Sequence, residues 1–159
     1  MNHDRYDDAY LRDILRSVKI IAMVGASTNW NRPSYFVFKY LQGKGYRMIP
    51  VNPGSAGETL LGEVVQAALE DISDPVDMVD IFRKSEAAGA ITDQAIAIGA
   101  KVAWMQLGVR DDAAAARAEA AGLKVVMNRC PKIEWGRLHG ELGWGGINSG
   151  IISSRRRKE

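Results

Sequence analysis

Cysteine is nearly absent: Cys130 stands alone among 159 residues. No internal disulfide can form, which fits a reducing cytosol and a cytoplasmic protein. Histidine is almost as scarce. His3 and His139 lie far apart, and with a single cysteine they draw no metal site of the usual spacing. No apolar run approaches the ~20 residues that a membrane-spanning helix needs. The first eight residues are polar and acidic, unlike a signal peptide. Neither a G-x-S-x-G elbow nor a Walker motif occurs, so the common serine-hydrolase and P-loop readings fall away.

A strong charge of one sign is also missing. The net charge is +2, and Arg155, Arg156, Arg157, Lys158 and Glu159 alone carry +3, leaving −1 on the rest. A near-neutral body does not hold nucleic acid by charge alone, so the overall positive charge is weak evidence for a polyanion partner. What is present is ordinary for a globular chain: 47% hydrophobic and 25% charged residues. The length favours one domain with a real core, placed at 1–142 with its leading helix. The glycine-rich stretch from Gly143 to Gly150 has no periodicity and precedes the basic end. Residues 143–159 are therefore expected to form a poorly packed tail.

One stretch organises the rest. Lys19 to Val24 is an apolar run that ends on Gly25-Ala26-Ser27, and Asn31-Arg32-Pro33-Ser34 follows before a helical pattern. The order reads as a buried strand, a tight turn and a helix N-terminus. Such an N-terminus offers unpaired backbone N–H groups and a positive dipole end, which suit a phosphate.

The remaining chain alternates in the same way. Tyr6 to Ser17 has helical spacing, with Asp4 or Asp7 as cap. Pro33 opens a helix to Gln42 that Gly43 and Gly45 end. Tyr46 to Val51 is the second strand, with Pro50 marking its end, and Asn52-Pro53-Gly54 is a turn. Thr59 to Ala68 reads as a loop and a short helix from Glu63. Val76 to Phe82 is the third strand, and Ser85 caps a helix to Ile98 that Gly99 stops. Lys101 to Met105 is the fourth, followed by an alanine-rich helix between Asp111 and Gly122. Leu123 to Met127 is the fifth, and Pro131 opens a last helix towards His139. The alternation predicts an α/β fold: a doubly wound, mostly parallel sheet of about five strands with helices on both faces.

In open α/β sheets, ligands bind beyond the carboxyl ends of the strands. The loops predicted there carry Gly25, Ala26, Ser27, Asn29 and Arg32, then Asn52 and Pro53, then Arg83, then Gln106 and Gly108, then Asn128, Arg129 and Cys130. Three of the five contain an arginine, which makes a rim suited to an anion. Arg32 either reads a phosphate or is a solvated surface arginine, and Arg83 either pairs a phosphate or serves in helix capping or a surface ion pair. Full dinucleotide binding asks for G-x-G-x-x-G and an acidic residue at the end of the second strand. Here Gly25 lacks its partners and the strand ends in Val51-Asn52-Pro53, which argues against NAD in its usual pose. Trp104 suits the core better than a stacking platform. Cys130 before Pro131 could be activated at a helix N-terminus, although a buried inert thiol fits better. Asp77 and Asp80 alternate with apolar residues in the third strand, and strand-end hydrogen bonding suits them better than acid–base work.

Taken in order, Val24-Gly25-Ala26-Ser27, Arg32-Pro33-Ser34, Pro50-Val51-Asn52-Pro53, Leu61-Gly62, Asp80-Ile81-Phe82-Arg83, Trp104-Met105-Gln106-Leu107-Gly108 and Arg129-Cys130-Pro131 resemble the small stand-alone CoA-binding proteins. These are single Rossmann-like domains, similar to the nucleotide-binding domain of the succinyl-CoA synthetase α subunit. The resemblance implies coenzyme A as ligand. It would set Gly25, Ala26 and Ser27 on the phosphates with Asn29, Arg32 and Ser34 nearby. Val51, Asn52 and Pro53 would border the adenosine end, and Phe82, Arg83, Trp104 and Gln106 would line the rest. The phosphohistidine domain of the ligase relatives has no counterpart in this sequence, so ligase activity is not implied.

The favoured reading is a CoA or acyl-CoA binding protein, non-catalytic, acting as carrier, sensor or subunit. The alternative is a small NAD(P)-dependent or other nucleotide-dependent oxidoreductase. A nucleic-acid partner held by Arg155 to Lys158 ranks third. A protein partner or a homo-oligomer stays open.

Overall fold

The computed structural model describes residues 1–140. The tail at 143–159 and the domain limit at 142 lie outside the described residues.

Helix α1 spans Asp8–Ser17, and β1 (Ile20–Val24) follows after two residues. Helix α2 (Pro33–Gly43) leads to β2 (Arg47–Val51). A small hairpin of β3 (Thr59–Leu60) and β4 (Glu63–Val64) precedes β5 (Met78–Ile81). Then come α3 (Ser85–Ala97), β6 (Val102–Met105), α4 (Asp112–Ala120), β7 (Lys124–Val126) and α5 (Pro131–Leu138). The main sheet has five parallel strands in the order β2-β1-β5-β6-β7. This is the doubly wound Rossmann-like sheet that the alternation predicted. The chain leaves β1 for β2 on one side, then crosses to β5 on the other. The switch in strand order therefore falls between β1 and β5, where such sheets bind ligands.

The two faces are covered differently. Ala22, Val79, Ile81, Ala103 and Val125 pack against alanines of α3 and α4, among them Ala88, Ala95, Ala114 and Ala118. The small side chains let these helices lie close to the sheet. On the other face Ile21, Met23, Met78, Trp104 and Val126 pack against α1 and α2 residues, including Leu11, Ile14, Phe38 and Leu41. Strands buried on both faces explain why each reads as a continuous apolar run. Asp80 is the exception, and it lies wholly inside.

Two local expectations change. The short helix from Glu63 is instead the β3–β4 hairpin, because Leu61 and Gly62 both take positive φ, as a type I′ turn requires. β2 ends at Val51, one residue past Pro50, as expected. β2 is an edge strand, and Pro50 faces away from β1, where its carbonyl accepts the Gln66 N–H at 2.9 Å. Ser85 does not cap α3. Lys84 holds the N-cap position without a side-chain bond, and Ser85 Oγ accepts the Arg110 N–H at 3.0 Å across the sheet edge. The Asp111 cap is as expected, with Oδ1 accepting the Ala114 N–H at 3.0 Å. Asp7 occupies the N-cap of α1 without a side-chain bond.

The far edge, β7, is closed by tyrosines rather than by another strand. Tyr10 Oη donates to the Val125 carbonyl at 2.8 Å and accepts the Val125 N–H at 3.0 Å. Tyr6 Oη accepts the Met127 N–H at 2.8 Å. Tyr10→Phe leaves both outward groups of Val125 without that partner. It should cost about 2 kcal/mol, read as a lower urea midpoint at unchanged m-value.

Candidate functional site

A cleft of about 510 Å³ opens at the carboxyl ends of β1, β5 and β6. Its wall is built from Gly25, Ser27, Arg32, Pro33 and Ser34, from Asn52, from Phe82, Arg83 and Lys84, and from Gln106, Leu107 and Val109. The sequence singled out eight of these: Gly25, Ser27, Arg32, Ser34, Asn52, Phe82, Arg83 and Gln106. The strand-loop-helix order brings them together as expected.

The floor is set by Gly25. Its φ is +94°, and a Cβ there would lie 2.2 Å from the Phe82 carbonyl oxygen and 2.8 Å from Arg83 Cδ. Only glycine allows the β1 turn and the β5 turn to approach so closely. The Gly25 N–H continues the ladder to the Val51 carbonyl at 2.9 Å. The Ser27 N–H is accepted by Ser34 Oγ at 3.2 Å, which leaves the Ser34 hydroxyl hydrogen for another acceptor. Two of the three turn amides are thus engaged within the protein. The turn contributes close approach, while the start of α2, with Pro33 at its first position, contributes a helix N-terminus.

Asn52 locks the neighbouring loop. Its Oδ1 accepts the Gly54 N–H and its Nδ2 donates to the Ala26 carbonyl, both at 2.9 Å. Thr28 Oγ1 donates to Glu58 at 3.2 Å and ties the loop after β1 to the hairpin segment.

Among the described residues no carboxylate pairs with Arg32, Arg83 or Lys84, whereas Arg47, Arg110, Arg117 and Arg137 are all ion-paired. Arg129, which the sequence placed on the rim, is turned elsewhere. Its guanidinium donates to the Asn128 and Asp4 carbonyls and lies over the Tyr6 ring, 5.0 Å from the centroid. Lys84 was missed, and its signal was simply its position next to Arg83.

Four other expected residues stand back from the wall. Ala26 and Val51 are buried beneath it. Asn29 shapes the loop, its Oδ1 accepting the Asn31 N–H at 3.3 Å, and Pro53 starts an exposed turn. Trp104 lies in the core, as its residue type suggested, which corrects its place on the wall implied by the resemblance. It is fully buried between the sheet and the helices, its Nε1 donating to the Arg129 carbonyl at 2.9 Å. It lies two residues before Gln106 on the same face, one step below the rim.

Beneath the wall lies a polar group that the sequence misjudged. Asp77 does bond at a strand end, its Oδ2 accepting the Lys19 and Ile20 N–H groups at 2.9 and 3.0 Å. Asp80 does not. It is 0% exposed and neither carboxyl oxygen has a partner among the described residues. Burial alone pushes its carboxyl up to about 8, so it is neutral at pH 7. Cys130 caps α5 and is itself buried. Burial pushes its thiol up against the opposing pull of Gln106 and the Ile133 amide, so the inert reading holds. Among the described residues no cluster of metal-ligating side chains occurs, and no helix is long and apolar enough to cross a membrane.

Gly25→Ala should destabilise the fold by more than about 1 kcal/mol, because the new methyl meets backbone in a left-handed conformation. Denaturant midpoints check this, and an unchanged midpoint would show that the two turns can part freely.

Comparison with known proteins agrees with this architecture. A family model described as a CoA binding domain matches residues 19–136. The uncharacterised protein YneT of Bacillus subtilis (strain 168) is 34% identical over 125 residues, spanning 79% of this chain and 91% of its own. The structure of a hypothetical protein from Pyrococcus horikoshii OT3 superposes with a TM-score of 0.82 at 39% identity. That match covers 88% of this chain and 97% of the other. The apo form of a dinucleotide-forming acetyl-coenzyme A synthetase from Ca. Korarchaeum cryptofilum shares the fold, with a TM-score of 0.60 at 24% identity. It covers 69% of this chain but 26% of that one. With its sequence matched across both walls of the cleft, the chain belongs to the CoA-binding domain family.

Proposed function

We propose that this protein binds coenzyme A or an acyl-CoA in the cleft between β1 and β5, without transforming it, as a carrier, sensor or subunit. One observation carries the reading: three cations without an ion-pair partner among the described residues, Arg32, Arg83 and Lys84, line a cleft that begins at a helix N-terminus. CoA carries several phosphates, and such a rim complements them. The spare Ser34 hydroxyl adds a neutral donor. Phe82 offers an aromatic ring beside Arg83, where a guanidinium and a ring can hold a phosphate and an adjoining group together.

The end of β2 favours CoA over a nicotinamide dinucleotide. The residue there is Asn52, an uncharged amide that bonds the Gly54 N–H and the Ala26 carbonyl. No carboxylate is presented to a ribose hydroxyl at that position. A non-catalytic role agrees with the chemistry of the wall. Its ionisable groups are Arg32, Arg83 and Lys84, all cations, with no nucleophile beside a general base.

The test is Arg83→Ala, which removes a charged hydrogen-bond donor without touching the core. A lost charged hydrogen bond is worth about 1.5–3 kcal/mol, so CoA affinity by calorimetry should fall roughly 10- to 100-fold. Unchanged affinity would take Arg83 out of the site.

A further inference from the structure

Asp80 sits two residues before Phe82 on the central strand, about 7 Å below the cleft wall along the chain. Its strand neighbours are Met23 on β1 and Trp104 on β6, neither of them titratable. From the start of α5 the titratable neighbour is Cys130, which feels the charge of Asp80. From the cleft side the charged groups are Arg32 at the start of α2 and Arg83 and Lys84 after β5. Gln106 lies between the two regions. It lines the cleft, yet its Oε1 is buried and without a partner among the described residues. A wholly buried, unpartnered carboxyl and an unpartnered amide oxygen thus lie under a cleft lined by unpaired cations.

We propose that the cleft takes up its anionic ligand together with the proton on Asp80, so that ionising this buried carboxyl weakens binding of the phosphates above it. The inference rests on the CoA reading of the cleft. A buried charge is poorly screened, so a carboxylate under the floor opposes a phosphate even at physiological salt. The neutral acid does not. Linkage makes the effect reciprocal: a bound polyphosphate raises the proton affinity of Asp80, and binding near its titration midpoint draws a proton from solution. The residue acts through the field it sets in the cleft, without touching the ligand.

The test is CoA affinity by calorimetry at pH 7 and pH 9, at one ionic strength, for the wild type, Asp80→Asn and Cys130→Ala. The isosteric amide mimics the neutral acid at every pH. It also leaves the titration of CoA itself in place as the common background. Beyond that background, wild-type affinity should fall between pH 7 and 9, by up to about tenfold for one group titrating near 8. Asp80→Asn should lose this component, and Cys130→Ala should keep it. A second readout needs no variant. Wild-type binding at pH 8, measured in two buffers of different ionisation enthalpy, should show uptake of a fraction of a proton. Equal pH dependence in wild type and Asp80→Asn, or no proton uptake, overturns the inference while leaving CoA binding intact. Loss of the component in Cys130→Ala instead would assign the proton to the thiol and also overturn it. Absence of CoA binding by the wild type at either pH would overturn the CoA reading itself and this inference with it.

Discussion

The cleft depends on how closely two strand ends approach at the switch in strand order. The backbone at Gly25 lies against the Phe82 carbonyl, where any Cβ would be 2.2 Å from oxygen. Because the turns touch, Arg83 folds over Gly25 and comes to share one wall with Arg32 and Ser34. Parallel pairing of β1 with β5 holds this contact, with Val24 opposite Ile81 at the last register position. The Phe82 N–H then bonds to the Val24 carbonyl at 2.8 Å, just below the turn. A wider turn would move a cation away from the helix N-terminus and split the rim.

The same region carries three of the four unmet buried side-chain atoms among the described residues, the fourth being Ser55 Oγ after β2. Most of the core is apolar on both faces of the sheet, yet Asp80 and Gln106 have buried oxygens without partners among the described residues. Buried polar groups without partners are costly and tend to mark function rather than stability. The surrounding structure meets that cost with continuous apolar strands, two tyrosines closing the β7 edge, and close-packed alanines on α3 and α4.

The fold was legible because each strand is a short apolar run and each helix is bounded by proline, aspartate or glycine. Pro33, Asp111 and Pro131 start their helices where the chain pattern placed them. The hairpin at Thr59 to Val64 was not legible, since its turn relies on Leu61 in a left-handed conformation that leucine seldom adopts. The eight wall residues could be read because strand-end loops converge in any doubly wound sheet. Which side chain points where could not. Arg129 leaves the rim for Tyr6 and two carbonyls. Asp80 looked like a strand-end residue beside Asp77, and only its place between Met23 and Trp104 reveals the difference.

The central claim is that the unpaired cations around Gly25 recognise coenzyme A. The measurement that tests it most directly is calorimetric titration of the wild-type protein with CoA and, separately, with NAD at pH 7. The account predicts saturable binding of CoA and no heat of binding from NAD. Saturable NAD binding with CoA silent would contradict it and restore the oxidoreductase reading.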